Sequence, residues 1–160
     1  WTLPALESLG VVYRAPVSFS GSPPFRETFD LIHSTAVLEH LPVDAAPLIV
    51  SNLRTAMRPG ATALHTIHLE DHRDFRNAPF AFLAWDTDWR PRDADSRGNR
   101  LRASDWIRMM RADPRTEVET LWSLVREEAP LPARRDPRFM GHDETDLRTG
   151  SVLLAVRATG

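Results

Sequence analysis

The densest group of ionisable side chains lies in the stretch containing His65, His68, Glu70, Asp71 and His72. Imidazoles and carboxylates in such numbers can ligate a metal or move a proton. On a strand, however, His65 and His68 point to opposite faces, so three histidines reach one ion only if the chain turns sharply after His68, and no metal site is expected. Asp71 and His72 are the candidates for substrate-side acid/base work, against the plainer reading of a solvated loop. His40, directly after Glu39, stands at the start of the crossover where a general base would be useful, against the plainer reading that it packs or caps locally, while Glu39 itself reads as a first-turn charge favoured by a helix dipole. Trp85 and Trp89, with Phe80 and Phe82, are candidates to line a small-molecule pocket, with core packing as the alternative.

Composition narrows the chemistry. The chain has 160 residues, 42% of them hydrophobic, enough for one domain or a piece of one. A net charge of −2 gives no general reason to hold a polyanion, so nucleic acid is not an implied partner. There are no cysteines, which removes disulfides, thiolate nucleophiles and Cys-ligated zinc. All 20 basic residues are arginine, which excludes lysine Schiff-base chemistry and a Walker-type lysine. No apolar run is long enough to span a bilayer, so a membrane is not an expected partner and a cytoplasmic location is the default. The start at Trp1, followed closely by a strand-like segment, reads as a cut inside a longer sequence.

The elements that must position these residues follow from pattern. A short helix fits the first nine residues, and Gly10-Val11-Val12-Tyr13-Arg14 reads as a short strand before a Gly/Pro/Ser connection. Thr28 to Ser34 has the apolar core of a buried parallel strand. Asp44 can cap a helix whose apolar face is Leu48, Ile49, Leu53, Ala56 and Met57, with Pro47 tolerated in its first turn and Arg58-Pro59-Gly60 ending it. Ala61 to Leu69 is the next strand. This strand-helix-strand unit implies parallel neighbours and a right-handed crossover, hence an α/β fold. Residues 70–100 form an aromatic-rich insertion with the character of a lid. A helix capped by Ser104 and two strands, Thr116 to Arg126 and Ser151 to Ala158, complete the chain, with a Pro- and Arg-rich loop between the strands. Arg134, Arg135 and Arg138 in that loop are candidates to meet an anionic acceptor, or simply solvated surface.

The ordered set FDLIHS from Phe29, AVLEHL from Ala36 and LRTAMRPGATALHTI from Leu53 resembles class I S-adenosylmethionine-dependent methyltransferases. The resemblance continues through Leu69-Glu70-Asp71-His72 and Asn99-Arg100-Leu101-Arg102-Ala103-Ser104-Asp105-Trp106, which look like a group of small bacterial methyltransferases. It implies a partial Rossmann-like sheet with parallel strands, crossover helices and an antiparallel final strand. It further implies methyl transfer from S-adenosylmethionine to a small-molecule acceptor, with Ser34 and Thr35 facing the cofactor's methionine part and Ala15-Pro16-Val17 approaching adenine. His40 and His72 are then the candidate catalytic bases, and Asp71, Trp85 and Trp89 the substrate-side residues.

Two features of the family pattern are absent. No Gly-x-Gly occurs in the chain, and no carboxylate stands where the family's second strand would bind ribose. The expectation is therefore a single, partial domain over 1–160, its activity incomplete in this chain alone and completed by N-terminal polypeptide. The alternative is a non-catalytic relic or partial domain that acts by association with another chain. In the family's strand order, Gly10 to Arg14 would have no neighbour. It is expected to detach, to pair with Thr28 to Ser34, or to be completed by other polypeptide.

Overall fold

A computed structural model of the chain describes residues 2–159. Trp1 of the expected first helix lies outside the described residues, and the helix itself, α1, runs Leu3–Ser8 with the Thr2 hydroxyl at its cap. The segment after it is not a strand. Val11, Val12 and Tyr13 are 48%, 67% and 67% exposed and pair with no neighbour, so the β-forming residue types there have no ladder to join. Of the three outcomes expected for this segment, detachment from the sheet is the one observed.

The sheet begins with β1 (Phe29–Thr35), followed by a single 3₁₀ turn at Leu38–His40, helix α2 (Ala46–Ala56) and strand β2 (Met57–His68). Short α3 (Ala94–Arg97) and α4 (Ala103–Met110) precede β3 (Thr116–Val125), and α5 (Glu144–Arg148) leads into β4 (Thr149–Ala158). The order across the sheet is β1-β2-β4-β3. β1 pairs parallel with β2, whereas β4 runs antiparallel to both β2 and β3. Three strands thus share one direction and only the last opposes them, a Rossmann-like α/β sheet. The parallel pair places the carboxyl ends of β1 and β2 side by side, where α/β sheets gather ligands.

Several local expectations are corrected. β1 is an edge strand and not a doubly covered one, so Leu31 is 60% exposed. Helix α2 is capped at Ala45 without a side-chain bond, leaving Asp44 exposed, and Leu48 faces solvent while Ala46, Ile49, Val50 and Ala56 are buried. The Arg58-Pro59-Gly60 stretch lies inside β2, not between helix and strand. There the register slips between Phe29 and Leu31, because Pro59 has no N–H for the ladder and Gly60 takes a φ of +80°. In α4 the cap position belongs to Arg102, whose N–H donates to the Asp105 carboxylate at 2.9 Å, and the Ser104 hydroxyl turns to Asp146 at 2.5 Å.

Two apolar clusters hold the molecule. The larger joins Leu38, Met57, Ile67, Trp106, Val152 and Leu154 between sheet and helices. The smaller unites Phe80, Phe82, Leu83 and Trp89 with Phe139 and Leu147 from far along the chain, which explains how a segment rich in charge is ordered. Arg102 ties the two regions. Its side chain is wholly buried, donates to the carbonyls of Leu69 and Thr149 at 2.6 and 2.5 Å, and lies over the Phe80 ring. Among the described residues no helix is long and apolar enough to cross a membrane.

Candidate functional site

At the carboxyl end of β1 the chain turns through Ala36, whose φ of +52° is left-handed and whose N–H donates to Thr66 O on β2. This turn feeds the Leu38–His40 segment, which Asn99 pins from the opposite side. The Asn99 amide donates to Leu38 O at 2.9 Å and Leu41 O at 3.0 Å, and its backbone N–H donates to Glu39 O at 2.8 Å. Glu39 is consequently 1% exposed and His40 half-buried. His40 Nδ1 lies 2.6 Å from Asp95 O. A carbonyl only accepts, so Nδ1 carries the proton and Nε2 of a neutral His40 holds a free lone pair.

The carboxyl end of β2 brings the other half of the cluster. His68 Nε2 sits 2.6 Å from Glu70 Oε2, and its Nδ1 is 2.9 Å from His72 Nε2. With His68 neutral, its proton is on the Glu70 side, His72 donates through Nε2, and His72 Nδ1 is left unprotonated. The His68 and His72 rings stack at 4.7 Å, and the His72 and His40 rings meet edge to face at 4.9 Å. A carboxylate oxygen of Glu39 and one ring nitrogen each of His40 and His72 lie within 4.8 Å of one another. Burial raises the Glu39 pKa, and the bonds from backbone N–H groups only partly offset it. Burial, then the neighbouring His68 and His40, lowers that of His72. Both shifts favour the neutral forms.

Sequence reasoning named His40 or His72 as a single candidate base, and the structure brings the two rings together. It treats Asp71, Trp85 and Trp89 differently. Asp71 is 1% exposed and held by Arg97 through two bonds of 3.1 and 2.5 Å, while a third Arg97 bond reaches the exposed Asp88 at 2.8 Å. Trp89 is buried in the smaller cluster, its indole N–H donating to Gly98 O at 2.9 Å. Trp85 is half exposed, with the Arg134 guanidinium 5.4 Å from its ring centre. The sequence reading missed Asn99 as the pin of the turn, and it took Glu39 for a first-turn charge serving a helix dipole, without its burial. The signal for Asn99 was the Gly98-Asn99 pair, a turn-forming dipeptide whose Gly98 has a φ of +89°.

Leu38 and Leu41, which flank Glu39 and His40 in the chain, also line a cleft of about 620 Å³, formed by Val17 to Ser20, the Ile32 to Ser34 end of β1, the turn after it and the inner face of α2. Its lining is mainly apolar and contains no carboxylate. Of the residues proposed to meet a cofactor, Val17 and Ser34 line it, whereas Thr35, Ala15 and Pro16 do not. Ser34 Oγ shares a 2.7 Å hydrogen bond with Nδ1 of the buried His65, whose pKa burial and then His33 lower to about 4. Thr35 Oγ1 bonds His33 Nε2 at 3.1 Å, and Ala15 and Pro16 are exposed.

No protein-family model matches the chain, and no curated protein matches it in sequence. Solved structures do resemble it in shape. An O-methyltransferase family protein from Burkholderia thailandensis aligns over 99% of this chain and 39% of its own, at 11% identity and a TM-score of 0.55. The CurJ carbon methyltransferase aligns over 90% of this chain and 34% of its own, at 17% identity and a TM-score of 0.50. The [4+2]-cyclase SpnF aligns over 98% of this chain and 60% of its own, at 12% identity and a TM-score of 0.52. The chain thus spans less than two thirds of each of these proteins. Together with the strand order, these likenesses give it the fold of class I methyltransferases, and the cyclase among them shows that the fold does not fix the reaction.

Proposed function

We propose that the chain supplies the later half of a methyltransferase site that uses S-adenosylmethionine and a small-molecule acceptor. The observation that carries this reading is the adjacency of the β1 and β2 carboxyl ends, with an apolar cleft lined by the end of β1 and the turn after it, and with His40 and His72, from the segments that follow the two strands, in ring contact. The cofactor, when bound, supplies an electrophilic methyl on a sulfonium. The residues present fit one wall of its site: Val17 and Phe19 offer apolar contact, and Ser34 a hydroxyl at the strand end. A glycine loop and a ribose-binding carboxylate are not among the cleft's lining residues.

The chain's own contribution to the reaction is then positional and basic. The strand ends fix an acceptor against the cleft, a proximity effect that needs no strong chemical catalyst. In this reading His40 or His72, each with a nitrogen left unprotonated by its bond on the other side, accepts the acceptor's proton. Calorimetric titration of the chain with S-adenosylhomocysteine tests the reading. Saturable micromolar binding that is lost in Ser34→Phe supports it. Millimolar or absent binding overturns the chain as a methyltransferase on its own.

A second reading is supported by one observation. β1 has a strand neighbour on one side only, and Leu31 and Asp30 are exposed there, which favours a domain that works by association with further polypeptide.

A further inference from the structure

We propose that Glu39, His40 and His72 form a binding site for a first-row divalent cation, a site of two imidazoles and one carboxylate. Their three donor atoms lie within 4.8 Å of one another, and ligands around such a cation stand about 3.4 Å apart in a tetrahedral arrangement, so small side-chain rotations close the site. The residues come from the ends of two neighbouring strands, and both backbones are anchored. Glu39 is held through Asn99, and the His72 N–H donates to Arg97 O.

A separate observation points to a missing ligand. Glu39 is 1% exposed, yet its Oε2 has no hydrogen-bond partner, and Glu39 takes part in no ion pair with an arginine among the described residues. Asp71, equally buried, shows the contrast: Arg97 engages both of its oxygens. A buried carboxylate oxygen without a partner is costly, and a cation, in place of the acid's own proton, would satisfy it.

The surroundings of both imidazoles are those that metal-ligating histidines use. His40 donates its Nδ1 proton to the Asp95 carbonyl, and His72 is backed by His68, itself backed by the Glu70 carboxylate. Such outer bonds fix the tautomer and leave the other nitrogen free to ligate. Two imidazoles favour zinc, cobalt, nickel or iron over magnesium and calcium. A histidine holding a cation has no lone pair for a proton, so occupancy of this site and use of the same rings as general bases are alternatives.

Titration of the chain with Co²⁺, followed by visible absorption in the absence of any cofactor, tests the proposal. One equivalent should bind saturably in the micromolar range with bands of mixed nitrogen and oxygen ligation, and Zn²⁺ but not Mg²⁺ should displace it. Glu39→Gln and His72→Ala should each weaken binding at least about tenfold, and His68→Gln should weaken it through the lost outer bond. Circular dichroism checks each variant, and if Glu39→Gln is not native the half-buried His72 carries the decision. Absence of saturable binding below about 1 mM, or binding unchanged in His72→Ala, overturns the site. The result is independent of the S-adenosylhomocysteine titration: cobalt binding without nucleoside binding retains the site and removes the chain as a methyltransferase on its own, and the reverse removes only the site.

Discussion

His68 and His72 stack with their ring centres 4.7 Å apart and share a 2.9 Å hydrogen bond, so the protonation of one ring dictates the tautomer of the other. The order of protons set by Glu70 gives His72 an Nε2–H, while the Asp95 carbonyl separately gives His40 an Nδ1–H. Nitrogen-15 spectra of the histidine side chains at neutral pH should show these two different tautomers. In Glu70→Gln the amide can donate as well as accept, and the His72 signals should move toward an even mixture. Unchanged tautomers in that variant would remove Glu70 from the relay.

Gly150 has a different reason to be glycine than a turn. A Cβ there would stand 2.8 Å from Glu70 Oε1 and 2.9 Å from its Cδ. Gly150→Ala should therefore destabilise the fold by about 1–3 kcal/mol in urea unfolding. In a Glu70→Ala background the same substitution should cost much less, because the obstructing carboxylate is gone.

His65 makes stability depend on acid. Its folded pKa of about 4 lies below the ordinary 6.5, so the unfolded chain takes up the proton first. Stability from this residue is complete above pH 6.5, falls as pH drops from there, and is fully lost below about 4, a change on the order of 3 kcal/mol. Urea unfolding of His65→Gln across pH 4 to 7 should show a flatter profile than the parent chain.

The two carboxylates bound to Arg97 should separate cleanly by burial. Arg97→Ala strands Asp71 without a countercharge and should cost about 3–5 kcal/mol. Asp88→Ala removes a solvent-screened, exposed partner and should cost far less. Equal losses in chemical denaturation would contradict the assignment of Asp71 as the structural partner.

Asn99→Ala should loosen the Leu38–His40 turn by freeing two carbonyls, at a cost of about 2 kcal/mol. Hydrogen exchange should rise at Leu41 and His40 before it rises in β2.

The parts of the fold legible in the sequence were those with local pattern. Phe29 to Thr35, the helix spanning Ile49 and Leu53, and the two final strands all stand close to where their periodicity put them. What failed were readings in which a residue type spoke without its neighbours. Val11 to Tyr13 favour a strand, but no ladder receives them. Asp44 and Ser104 are good caps by type, yet Ala45 and Arg102 occupy the cap positions. The site divides the same way. His40 and His72 were legible as titratable residues at strand ends, whereas the burial of Glu39 depends on Asn99, distant in sequence, and the packing of Trp89 with Phe139 depends on a contact no local pattern encodes.

The exposed outer edge of β1 bears on how the protein behaves in bulk. A strand with one bare side is a template for any extended chain, including a second copy of itself, so crowding favours sheet growth over a discrete monomer. The exposed charge of Asp30 on that strand, paired with Arg58 of the neighbouring β2 at 2.7 Å, works against it. Neutralising them would be felt first in solubility and shelf life, well before any loss of fold.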